Sequence, residues 1–148
     1  MNFIRRHILI ISLIMFILLA VFLFIPKHHG TRRVFYFPSV ATEKVCREVR
    51  YLPSNAVQGD VRSYVDELLL GSIRQGRLSL FSLGTVCEFC FVQDKTIFVG
   101  LSGDAVLQLS DSTDIETGIK LFKTSILKNF KYIDYVELFI DGNYVENR

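Results

Sequence analysis

The spacing of apolar and polar positions divides the chain into an unbroken apolar run followed by alternating and helical patterns. Ile8 to Ile25 carries no charge and only Ser12 as a polar interruption. As a helix, these eighteen residues would span about 27 Å, close to the hydrocarbon thickness of a bilayer. A buried core helix would keep one polar side, whereas this run is apolar on every face. It predicts a transmembrane segment. Arg5 and Arg6 precede the run as in a signal peptide, but Ile25, Pro26, Lys27, His28 and His29 follow it without a small-x-small cleavage pair, and no lipobox cysteine is present. The expectation is an uncleaved signal anchor. Basic residues flank both ends, so loop charge does not set its direction; the short leading tail predicts that the C-terminal part lies outside the cytoplasm.

Beyond a basic linker the pattern changes to that of one small domain. Arg33 to Phe37 reads as a strand stopped by Pro38, and Lys44 to Leu52 alternates with period two, as a second strand does. Val61, Tyr64, Val65, Leu68 and Leu69 form a helical stripe, with Asp60 as its expected N-cap and Gly71 as its stop. Thr85 to Val92 and Thr96 to Leu101, separated by Gln93, Asp94 and Lys95, read as a hairpin. A second helix carries Ile115, Ile119, Phe122, Ile126 and Phe130 on one face, with Thr113 and Glu116 in capping-box spacing. Tyr132 to Ile140 reads as a last strand. The order β-β-α-β-β-α-β predicts an α/β (α+β) domain with two helices packed on a mixed sheet. The expected divisions are a cytoplasmic tail over 1–7, the anchor over 8–25, the linker over 26–32 and the domain over 33–148.

Charge changes this picture little. The net charge of the whole chain is +2, but from Val34 onward twelve Lys and Arg stand against fifteen Asp and Glu, leaving −3. A mildly acidic domain lacks the clustered basic groups that phosphate binding requires, so nucleic acid is not an expected partner.

Candidate chemistry is sparse. All three histidines, His7, His28 and His29, flank the apolar run. Their absence from the domain removes imidazole acid-base catalysis, the Ser/His and Cys/His nucleophile pairs and His-containing zinc sites. Cys87 and Cys90 form a CxxC, but in a strand rather than at a helix start, where a redox pair is activated. A regular strand would hold their Cα atoms ~10 Å apart on opposite faces, so they are not expected to bond to each other. Cys46 could pair with either if those strands adjoin. Asp104, Asp111, Asp114 and Glu116 lack the spacing of a calcium loop, and helix capping accounts for the last three. No catalytic, cofactor-binding or metal residues are assigned, no cofactor is expected, and function is expected to survive loss of any single carboxylate. Thirteen Phe and six Tyr exceed what a small core needs, and the surplus in VFYF (34–37) and KYIDYVELF (131–139) suggests a docking face.

Taken together, VFYFPS, VCREVRYLP, VRSYVDELLLG, RLSLFSLGT, IFVGLS and FKTSILKNFKYIDYVELFIDG resemble, in that order, the GerMN domain. That family is known from bacterial spore germination and sporulation proteins and other anchored envelope proteins. The resemblance covers roughly Arg33 to Asn143. Ser82 stands where family members often carry proline, and the hairpin ends Val99, Gly100, Leu101, Ser102 instead of Val-Asp-Leu-Ser. The resemblance implies a scaffold or interaction domain in an extracytoplasmic complex, with the membrane and other envelope proteins or itself as partners. A cell-wall or envelope hydrolase using paired carboxylates is the alternative.

Overall fold

The computed structural model describes residues 2–24, 30–42, 44–107 and 109–146; within helix α1 (Asn2–Phe24) the described side chains are those of residues 7, 8 and 11–20. Among the described residues no helix is long and apolar enough to cross a membrane. Most of the expected linker, with His28 and His29, lies outside the described residues.

Strands β1 (Thr31–Pro38) and β2 (Val45–Leu52) pair antiparallel as a two-stranded ribbon. Helix α2 (Asp60–Leu69) leads to β3 (Cys87–Gln93) and β4 (Thr96–Leu101); a 3-10 turn, Gly103–Val106, precedes α3 (Ile115–Asn129), β5 (Tyr135–Ile140) and the two-residue β6 (Asn143–Tyr144). The last four strands form a separate sheet in the order β3-β4-β5-β6, with only the β4–β5 pair parallel. The predicted class and element order hold, but the strands divide into two sheets instead of one. The reason lies at the free edge of β1. There the Asn129 side chain accepts from the Val34 N–H (2.8 Å) and donates to the Val34 carbonyl (2.7 Å), taking the place of a neighbouring strand.

The helices join the two sheets through one core. α2 packs against β3, and its Tyr64 ring stacks on Phe35 of β1 at 4.7 Å and meets the Phe130 edge at 5.4 Å. α3 packs against both β1 and β5. Phe35, Tyr64, Phe122, Ile126, Ile97 and Leu138 are fully buried, each such apolar side chain contributing about 1.5–3 kcal/mol relative to exposure. Close approach of α3 depends on Gly118, where a Cβ would stand 2.2 Å from the Leu80 carbonyl oxygen.

Capping differs from expectation at α2 and in part at α3, where the expected capping role of Asp114 holds and the Thr113 capping box does not. Gly59 occupies the N-cap of α2, and Asp60 is its first helical residue, placed where a carboxylate meets the positive end of the helix dipole and 3.6 Å from Arg33. Asp114, not Thr113, caps α3 by accepting from the Thr117 N–H at 2.8 Å. Gly71 does terminate α2, at φ +80°, a conformation that costs glycine little.

On β2 the expected alternation buries the charged face. Glu48, Arg50 and Leu52 point inward, while Val45, Val49 and Tyr51 face solvent. Glu48 accepts from Arg50 Nε (2.7 Å), Arg77 (2.9 Å) and Ser72 Oγ (2.6 Å), and Arg50 reaches the Gly71 carbonyl (2.5 Å) with its guanidinium over the Phe35 ring. This network fastens the segment after α2 to the ribbon. Burial opposes the charge on Glu48, but the hydrogen bonds from Ser72 and Arg50 and the Arg50 charge outweigh it and hold the carboxyl below its ordinary value.

Candidate docking face

Residues two apart along a strand share a face. In the four-stranded sheet, Ile97, Val99, Leu101, Val136, Leu138 and Ile140 form the buried side. The strand register then determines what the other side carries. One row crosses all four strands as Phe89, Gly100, Phe139 and Tyr144; the next runs Phe91, Phe98, Glu137; a third runs Gln93, Thr96, Tyr135. Two hairpin alternations and the last strand thus converge on a single aromatic surface.

Ring geometry makes it continuous. Phe91 stacks on Phe98 at 5.1 Å, Phe89 lies 6.1 Å from Phe91 and 5.8 Å from Phe139, and Phe139 lies 5.5 Å from Tyr144. Gly100 is what allows the Phe89 ring to lie across the sheet, since a Cβ there would sit 2.1 Å from its Cε1. Phe91, Tyr135 and Tyr144 are 50%, 66% and 51% exposed. Glu137 is the charge within the rows; its hydrogen bond with Tyr144 raises that phenol above its ordinary value. An exposed surface of packed rings with little charge has the composition of an interface centre.

The two segments singled out by composition separate here. Phe35 and Phe37 of VFYF are buried in the core, and Tyr36 is half-buried beneath Lys128, whose Nζ is 4.6 Å from the ring centroid. From the second segment, Tyr135 and Phe139 reach the face. Phe89, Phe91 and Phe98 were legible only as hairpin residues; their alternation, combined with a register, was the signal that could have placed them.

The cysteines also depart from expectation. The β3–β4 ladder shifts register between Cys87 and Phe89, so Cys87 pairs with Leu101 and Cys90 with Val99. Glu88 is the extra residue of a bulge, and both cysteines lie on the same face rather than on opposite ones. Cys46 is on β2, which pairs with β1 and does not adjoin β3, and all three cysteines are free.

The acidic residues do not converge. Asp114 is engaged in capping, Asp104 sits in the 3-10 turn, and among the described residues no group of three or more His, Cys, Asp or Glu could hold a metal ion. A groove of about 680 Å³ beside α3 has an apolar floor of Ile115, Ile119, Leu127 and Val145, with the exposed Glu116 and Glu146 on its rim.

No family model and no curated protein matches the chain. Solved structures do. The first GerMN domain of the sporulation protein GerM from Bacillus subtilis aligns with 78% of this chain and 86% of its own, at TM-score 0.62 and 16% identity. The tandem GerMN domains of the same protein align with 80% of this chain and 42% of their own length, at TM-score 0.63 and 16% identity. The domain that follows α1 therefore has a GerMN-like fold.

Proposed function

We propose that this protein is a membrane-anchored, non-enzymatic interaction domain, held outside the cytoplasm, whose aromatic sheet face docks a second copy of the chain in an envelope or sporulation-type complex. The observation that carries the reading is the continuous row of rings from Phe91 to Tyr144, half-buried at Phe89, Phe98 and Phe139 and exposed at Phe91 and Tyr144, on a sheet whose other side is the core. Anchoring is supported by α1, in which Ile11, Leu13, Ile14, Met15, Phe16, Ile17, Leu18 and Leu19 are all 52–71% exposed. So many large apolar side chains around one helix suit lipid rather than water. The choice of a second copy rests on the solved relative, which carries two GerMN domains in one chain, and on a face whose rings need no charged counterpart. Scaffolding is favoured over hydrolysis because Glu116 and Glu146 are solvent-facing groups on an open groove rather than enclosed, unlike a hydrolase's paired carboxylates.

A photo-crosslinking residue in place of Phe91 or Tyr135, activated in cells, tests this. The expected product is a covalent dimer of the chain, absent when the residue replaces the exposed Lys120 of α3, which lies outside the aromatic rows. Adducts to a different protein would overturn self-association. No adduct at either position would overturn the docking role.

A further inference from the structure

The bulge in β3 creates an arrangement that the sequence motif alone does not contain. Cys87 and Cys90 stand opposite Leu101 and Val99, which lie two residues apart on β4 and are both fully buried. The cysteines therefore share the helix-packed side, with Cα atoms about two strand steps, or ~6.7 Å, apart. That is the upper edge of the ~4.4–6.8 Å range a disulfide spans. Cys87 Sγ donates to the Phe89 carbonyl at 3.2 Å, and the Cys90 thiol beside it shifts its acidity. Cys87 is 6% exposed, whereas Cys90 is only half-buried. β3 is the edge strand of its sheet, so shortening the bulge disturbs one ladder only.

We propose that Cys87 and Cys90 are a redox-active dithiol that closes to a disulfide across the bulge by exchange with an external disulfide. The Cys90 thiolate attacks one sulfur of the external disulfide, breaking its S–S bond and releasing one thiol. Cys87 then attacks the Cys90 sulfur of the mixed disulfide and expels the second thiol. The cysteines lose two electrons and two protons, which the external disulfide takes up in becoming two thiols. The division of roles follows from position. The neighbouring Cys87 thiol holds the Cys90 thiol below its ordinary value against burial, with Arg62 adding positive charge. The Cys90 neighbour and burial push Cys87 up. A reachable, more acidic thiol backed by a buried protonated one is an attacking and a resolving pair.

Closure must draw the Cα atoms inward against the ladder, and a strained bridge is easily reduced, so the pair acts as a switch rather than a permanent staple. Phe89 lies inside the closed loop and its ring rests over Gly100. The same contraction therefore reshapes the aromatic face. The dithiol chemistry itself does not depend on what that face binds.

The test uses the full chain in detergent micelles, equilibrated with mixtures of glutathione and glutathione disulfide, then alkylated and digested with trypsin. Cleavage after Arg77 and Lys95 isolates both cysteines on one peptide, away from Cys46. Under oxidising mixtures that peptide should lose two hydrogens and resist alkylation, and excess glutathione should restore both thiols. Cys87→Ser should trap Cys90 as its glutathione mixed disulfide, with native circular dichroism confirming the fold. Separate glutathionylation or alkylation of both cysteines in the unsubstituted chain, at every ratio, would overturn the proposal. So would a bridge to Cys46, or a Cys87–Cys90 bridge that excess glutathione fails to reopen.

Discussion

Glu48 shows how much can rest on one side chain. It is 2% exposed, and it is the acceptor for two arginines and a serine that hold the segment after α2. Replacing it with Gln leaves Arg50 buried and short of its closest counter-charge. Disrupting a buried pair from one side costs about 3–5 kcal/mol, so Glu48→Gln should lower unfolding free energy in denaturant titrations by roughly 3 kcal/mol. The pH dependence follows from the lowered folded value. The unfolded chain binds the proton more readily, so stability rises with pH. The contribution is complete above the ordinary value of 4.5 and is lost as pH falls through the depressed folded value. Titrations across that acid range should show a shallower slope in the variant. The effect of Glu48→Gln is thus on folding, which is separate from the expectation that function survives loss of any single carboxylate.

At the scale of elements, the hairpin and the bulge show local geometry serving the surface. Asp94 and Lys95 both have positive φ, 47° and 62°, as a two-residue type I′ turn requires. Lysine tolerates that region poorly, at a cost of about 1–2 kcal/mol. Lys95→Gly should therefore raise the unfolding midpoint, with a gain near 1 kcal/mol, less what the exposed pair with Asp134 at 3.5 Å contributes. On the neighbouring strand, Gly100→Ala would displace the Phe89 ring from its seat while leaving the buried side unchanged. The expected result is a small shift in thermal midpoint with a large loss of the crosslinked dimer. An unchanged dimer yield would separate Phe89 from the docking surface.

For the whole molecule, the decisive question is where the domain sits relative to a bilayer. The proposed anchoring places the domain outside the cytoplasm. Protease added to spheroplasts should then digest the domain while leaving a cytoplasmic control intact. Survival of the domain alongside cleavage of an external control would reverse the orientation. Resistance of the chain to alkaline extraction from membranes checks the anchor separately.

Much of this was legible from residue order because helices and strands impose periods of 3.6 and two on neighbouring residues. The α2 stripe from Val61 to Leu69, the alternation of β2 and the hairpin around Asp94 are local patterns of this kind. The absence of histidine from the domain is likewise a property of the sequence alone. Period two, however, specifies neither which face of a strand is buried nor which strand lies beside it. Only the contact of Asn129 with Val34 separated β1 from the larger sheet, and only the inward ion network explains why β2 buries Glu48 and exposes Val49. The aromatic face and the cysteine pair depend on the β3–β4 register. One extra residue, Glu88, reverses the side on which Cys87 lies relative to Cys90, because the sense of a strand's alternation is set by its partner across the ladder rather than by its own sequence.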